Sequence, residues 1–217
     1  RNIPAIKAYY VAGEEEKVLD FVDKLGVTSL RQFRDAFNKD AEKRGWTFYF
    51  GWPMAIGSGE VRLIELVNAY ATFANQGKYN MPNPILEVRD RNGNVLESFQ
   101  NTEKQVIDPQ VAFIINNILS DVSARPAGSW RALLTVVGKN LAAKTGTSNK
   151  TVHGRELPNN NITVGYTPTI AAGFWVGNTN GKNLINSAYS LYTTDPIYHE
   201  FFEKILKDKP REEFVKP

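Results

Sequence analysis

Lys144, Thr145, Gly146 and Thr147 follow a run of small residues, Leu141-Ala142-Ala143. At the edge of a strand, the lysine would supply a fixed positive charge and the two hydroxyls could bind a carboxylate. Gly146, lacking a Cβ, would let a substrate backbone approach closely. The Thr147 N–H could then point at the oxyanion that develops when a carbonyl is attacked. A bare K-T-G triplet also recurs by chance, as an exposed strand end leading into a turn, so its neighbours decide its meaning.

Other candidates carry less chemistry. His153 and His199 are the two histidines, far apart in sequence and without H-E-x-x-H spacing, so a metal site is not expected. Glu14-Glu15-Glu16 reads as the acidic first turn of a helix. Ser58 lies between glycines, but Ile56 and Gly57 precede it, so the G-x-S-x-G elbow is not met. The absence of cysteine excludes disulfides, thiolate zinc sites and a Cys nucleophile. The 26 Lys and Arg against 23 Asp and Glu alternate, as in Lys39-Asp40-Ala41-Glu42-Lys43-Arg44. That pattern reads as a solvated helix face, not a nucleic-acid stripe. No apolar run approaches the roughly 20 residues of a membrane span. No cofactor motif is present.

The elements that must position Lys144 follow from periodicity and punctuation. Helices are predicted for Ile3–Tyr10 (Pro4 in the first turn), Glu14–Leu25, Leu30–Arg44, Arg62–Asn75, Pro109–Val122 and Pro196–Asp208. Gly26, Gly45 and Gly77 are the expected stops. The aromatic stretch Trp46–Trp52 reads as a buried loop or short strand. Asn92-Gly93 between extended runs predicts a hairpin within Ile85–Phe99, with the positive φ angles of a tight turn. Strands are predicted at Leu141–Thr147, Ile162–Tyr166 and Ile170–Val176, the last two joined by Thr167-Pro168-Thr169. Helices precede clustered antiparallel strands, so the class is α+β, and the length allows one large domain or two small ones.

The neighbours of K-T-G-T point to one family. Ser58-Gly59-Glu60-Val61, followed by Glu65-Leu66-Val67-Asn68-Ala69-Tyr70-Ala71-Thr72-Phe73-Ala74-Asn75-Gln76-Gly77-Lys78-Tyr79, closely resembles a segment of class A penicillin-binding proteins. Asn2-Ile3-Pro4-Ala5-Ile6-Lys7 is similar to the segment that opens with the family's S-x-N motif. Asn2 takes the Asn place, Arg1 the variable place, and the serine would fall just before the chain. Val164-Gly165-Tyr166-Thr167-Pro168 and Trp175-Val176-Gly177 resemble the two strands after K-T-G. S-x-x-K, S-x-N and K-T-G together mark penicillin-binding proteins and serine β-lactamases.

The resemblance implies the C-terminal portion of a peptidoglycan D,D-transpeptidase domain, on the exported face of a bacterial membrane. It implies the penicillin-recognising α+β fold, an antiparallel sheet with helices on both sides, lacking its nucleophile helix and first strands. An apolar face of the late sheet would then be left uncovered. In the family a serine attacks the D-alanyl-D-alanine end of a stem peptide, and an amine of a neighbouring strand resolves the acyl-enzyme; β-lactams acylate the same serine. By position, Lys144 would assist proton transfer and charge balance. Thr145, Gly146 and Thr147 would bind substrate, the Thr147 N–H would form half the oxyanion hole, and Asn2 would contact the substrate amide. The implied partners are stem peptides, β-lactams and the rest of the same protein, with a membrane anchor only outside this chain.

Two departures stand out. None of the nine serines has a lysine three residues on: the residues met are Gln32, Val61, Asn101, Ser123, Pro126, Ala132, Thr151, Ser190 and Thr193. The chain alone is therefore expected to be inactive. Second, Asn160, Asn161, Ile162 and Thr163 stand where the family usually has an acidic residue and aromatics. A related carboxypeptidase or β-lactamase is the nearest rival, but Tyr70–Gly77 and Phe201–Pro217 favour the synthase. A scaffold domain that has lost its nucleophile is the other.

Overall fold

The computed structural model describes residues 2–217. It begins with helices α1 (Asn2–Val11), α2 (Glu14–Lys24), α3 (Ser29–Asn38) and α4 (Ala41–Arg44), a 3-10 turn (Trp52–Ile56) and α5 (Leu63–Ala74). Short strands β1 (Lys78–Tyr79), β2 (Glu87–Arg89), β3 (Val95–Ser98) and β4 (Lys104–Gln105) lead to α6 (Pro109–Ser120) and α7 (Ser129–Leu133). Last come β5 (Ala142–Val152), β6 (Arg155–Tyr166), β7 (Ala171–Gly177), a second 3-10 turn (Ser190–Tyr192) and α8 (Thr194–Leu206).

β5, β6 and β7 form an antiparallel sheet in that order, with α5 and α6 against one face and α8 against the other. Two glycines permit the close approach. A Cβ on Gly165 would stand 2.2 Å from the Tyr198 ring of α8, and one on Gly173 would stand 2.4 Å from Val67 of α5. Tyr198, Phe202 and Leu206 pack with Leu134, Val136 and Leu141 on the α8 side. Ala142, Tyr166 and Phe214 pack with Tyr70 and Phe113 on the other. The early helices share a separate core around Leu19, Leu25, Val27, Leu30 and Phe50.

Several expectations are corrected. The single helix predicted over 30–44 breaks at Lys39-Asp40. Asn38 turns its amide onto Phe48, donating to its carbonyl (3.0 Å) and accepting from its N–H (2.8 Å), which draws the chain back on itself. Trp46–Trp52 forms no strand: Phe50 is buried, but Trp46, Tyr49 and Trp52 are exposed. The hairpin at Asn92-Gly93 is present, but only Gly93 has positive φ. Asp90 shapes the turn, its Oδ1 accepting from the N–H groups of Asn92 (2.8 Å) and Asn94 (2.9 Å). β5 and β6 run well beyond the predicted strands and close through His153-Gly154. Both residues have positive φ, as a two-residue hairpin loop requires. Exposed apolar side chains occur on α6, where Val111, Ile114 and Ile118 face outward while Ala112 and Asn116 are buried, and on the sheet itself, at Trp175 of β7.

Candidate active site

β5 is an edge strand, so alternate backbone N–H and C=O groups of Lys144–Thr147 face away from β6. A Cβ on Gly146 would meet nothing within 4 Å, so the sheet face beside that free edge is also uncovered at Gly146. The period-2 alternation divides the motif. Lys144 pairs across with Val164 and shares the α5 and α6 face with Ala142 and Tyr166. Thr145 and Thr147 pair with Thr163 and Asn161 on the α8 face. The charge and the hydroxyls therefore converge only at the open edge between them.

The Lys144 side chain is exposed, and its Nζ donates to the Thr145 carbonyl. Surrounding protein atoms still draw its ammonium below the ordinary lysine pKa by desolvation. Its access to water keeps that shift from bearing on stability. Just beyond the motif, the register slips between Ser148 and Asn149, so that Asn159 becomes an extra residue on β6 beside the buried Pro158. Such a bulge accommodates a proline and bends the strand pair at the end of the site.

Buried polar groups behind the strand hold it. Thr147 Oγ1 donates to Asn161 Oδ1 (2.8 Å), and Thr163 Oγ1 lies 2.7 Å from Thr194 Oγ1 and donates to Asp195 Oδ1 (2.6 Å). Arg125, at the foot of β5, donates to the carbonyls of Leu134 and Leu141. Sequence reasoning missed Arg125 and Asp195 altogether. It marked Asn161 only as a departure, although three adjacent asparagines, Asn159–Asn161, in a strand, where that residue is disfavoured, were the available signal.

Asp195 is fully buried and its Oδ2 has no hydrogen-bond partner among the described residues. Desolvation raises its pKa, with the Thr163 hydrogen bond opposing. A carboxyl whose folded pKa lies above its unfolded value near 3.8 costs stability as pH rises through that interval, because the folded state must release the proton harder to lose. Asp195→Asn keeps an acceptor for Thr163 and removes the charge. In urea titrations, the stability of the wild type relative to Asp195→Asn should therefore fall as pH rises from about 4 to neutrality. Parallel pH profiles would refute the assignment.

Asn2 stands at the start of α1. It is exposed in the first turn of α1, which packs on α2 and the first 3-10 turn, and no hydrogen bond joins it to β5 among the described residues. Arg1, assigned the variable place beside it, lies outside the described residues. A cavity of about 230 Å³ opens between the end of α5 and the Thr167–Thr169 turn, lined by Lys78, Asn80 and Glu103. It contains none of the K-T-G-T residues. Among the described residues, no three His, Cys, Asp or Glu side chains gather to hold a metal.

Known proteins share both sequence and fold with this chain. Residues 11–203 match the family described as penicillin binding protein transpeptidase domain. The chain belongs to that family. Penicillin-binding protein 2D of Bacillus subtilis is 31% identical over 169 residues, covering 76% of this chain and 23% of the relative. Penicillin-binding protein 1A of Rickettsia typhi is 30% identical, covering 100% of this chain and 27% of the relative. The chain thus spans about a quarter of the length of these penicillin-binding proteins. PonA1 of Mycobacterium tuberculosis in complex with penicillin V superposes with a TM-score of 0.72 at 26% identity, over 94% of this chain and 53% of that one. Penicillin-binding protein 1A of Haemophilus influenzae, at 18% identity, shares the fold with a TM-score of 0.78 over 100% of this chain and 34% of that one.

Proposed function

We propose that this chain is the K-T-G-T side of a peptidoglycan D,D-transpeptidase, acting at the exported face of a bacterial membrane through a serine supplied from outside residues 1–217. The open edge of β5 at Gly146, inside the family match, carries the reading. A stem peptide ending in D-alanyl-D-alanine lies antiparallel along that edge, its terminal carboxylate toward the motif's charge and hydroxyls. The serine hydroxyl attacks the penultimate D-alanyl carbonyl. The Thr147 N–H donates to the oxyanion, and D-alanine leaves as the acyl-enzyme forms. An amine of a second stem peptide then takes the acyl group and releases the serine. A β-lactam enters the first half of this sequence and stops there.

Two observations support a serine from another segment. No serine here precedes a lysine by three residues, and α6 presents the uncovered apolar stripe Val111, Ile114 and Ile118. No helix among the described residues is long and apolar enough to cross a bilayer. Intact-mass analysis with penicillin tests the reading. The full-length gene product should gain one drug mass, and residues 1–217 alone should gain none. An adduct on the isolated chain, or none on the full-length protein, would overturn it.

A further inference from the structure

The cavity beside the end of α5 lies where β6 turns into β7, apart from the K-T-G-T edge. Hydrogen bonds of its own fix both walls. On the sheet side, Thr167 is 3% exposed and its Oγ1 accepts from the N–H groups of Thr169 and Ile170, each at 3.3 Å. Thr169 Oγ1 donates in turn to the Glu212 carboxylate, which holds the turn in place. On the α5 side, Asn75 Nδ2 donates to the Lys78 carbonyl at 3.2 Å, and Asn68 Nδ2 to the Asn80 carbonyl at 3.0 Å. A carbonyl has no hydrogen to give, so these contacts decide which atom of each amide is nitrogen. The two Oδ1 atoms are left as acceptors, with no partner among the described residues and not sealed from solvent.

The charge on this wall is balanced. Lys78 Nζ lies 3.3 Å from Glu103 Oε2, while Glu103 Oε1 accepts from Asn75 at 3.4 Å and from Asn80 at 3.5 Å. Donation by Asn75, Lys78 and Asn80 holds the Glu103 carboxyl below its ordinary pKa, so it is ionised at neutral pH. An entering anion would meet the carboxylate and an entering cation the ammonium, so neither class gains. The favoured ligand is neutral, carries several groups that both donate and accept, and has an apolar face for Ala71, Pro168 and Ile170. A polyhydroxylated ring has that chemistry. Its hydroxyls would donate to the Asn68 and Asn75 oxygens and accept from Lys78, and its C–H groups would cover the apolar residues. The volume of about 230 Å³ falls below the roughly 300 Å³ at which drug-sized pockets begin, so it admits a single ring.

We propose that this cavity binds one pyranose unit of a saccharide. The hydroxyl chemistry stands on the cavity alone. That the unit belongs to the glycan chain carrying the stem peptides rests on the transpeptidase reading. The test follows the Ala71 and Ile170 methyl resonances of the methyl-labelled full-length gene product during titration with N-acetylglucosamine. Saturable shifts are expected. Glu103→Gln should raise the dissociation constant about tenfold, because it replaces charge-assisted hydrogen bonding with neutral. The Glu103 side chain is 38% exposed, and a neutral isostere there is tolerated by folding. Free alanine, a zwitterion, and inorganic phosphate should move neither resonance at the same concentrations. Absence of a saturable shift with the sugar would overturn the proposal, as would equal shifts with alanine or phosphate. So would a dissociation constant that Glu103→Gln leaves unchanged. Sugar binding without any penicillin adduct on the same protein would keep the pyranose site and overturn the transpeptidase reading, and with it the glycan source.

Discussion

Lys144→Ala in the full-length protein should slow acylation by penicillin about 10²- to 10³-fold, the range of a single positioned proton-transfer or oxyanion-stabilising group. Folding should be almost untouched, within about 0.5 kcal/mol, because the Lys144 side chain is exposed and anchors no other element. Lys144→Arg then separates the two roles a cation can play there. Arginine keeps the charge that draws a carboxylate but does not release a proton near neutrality. Lysine does so more readily as its pKa falls, and desolvation lowers that of Lys144. If proton transfer dominates, the arginine variant should fail almost as badly as alanine. If charge dominates, it should recover most of the rate. Acylation of Lys144→Ala within about threefold of wild type would remove Lys144 from the mechanism altogether, since a factor that small is under 1 kcal/mol of barrier.

What was legible beforehand follows from the range over which each signal acts. The helices at Glu14, Arg62 and Pro109 announced themselves because periodicity and glycine or proline punctuation are local. The strands at Ala142, Ile162 and Ala171 were readable because they are short apolar runs between turn residues. The β5–β6 extension was not, because Ser148–Val152 and Arg155–Asn160 are polar and are ordered by each other and by the His153-Gly154 turn. The split between α3 and α4 depends on Asn38 meeting Phe48, a contact no periodicity encodes. K-T-G-T was visible as letters, yet its division between two faces needed the register with β6. The groups that hold it are scattered through the chain, at Arg125, Asn161 and Asp195, and only the fold gathers them.

Arg125→Met should cost about 3–5 kcal/mol of folding stability, among the largest effects of any single substitution in this protein. Arg125 is 8% exposed and reaches four acceptors: the carbonyls of Leu134 (2.6 Å), Leu141 (2.5 Å) and Leu119 (3.3 Å), and Thr135 Oγ1 (2.8 Å). It ties the end of α6, the residues after α7 and the residue before β5 to one planar head group. Desolvation lowers its pKa, as burial of a cation must, although the guanidinium stays charged at any physiological pH. Removing a buried charge would also remove that desolvation cost, and where ion pairs are replaced whole the exchange can be neutral. Here it is not, because the partners are backbone carbonyls that remain in place. Methionine fills the volume of the stem but leaves the Leu119 and Leu141 oxygens without this donor, whereas Leu134 keeps the Tyr198 hydroxyl at 3.3 Å. Arg125→Lys retains one compact head with three donors and should recover about half of the loss. Because Leu141 leads directly into Lys144, acylation of the full-length Arg125→Met protein should also fall while it is still folded. Chemical denaturation checks the first expectation, and a loss under about 1 kcal/mol would mean that these hydrogen bonds do not hold the strand.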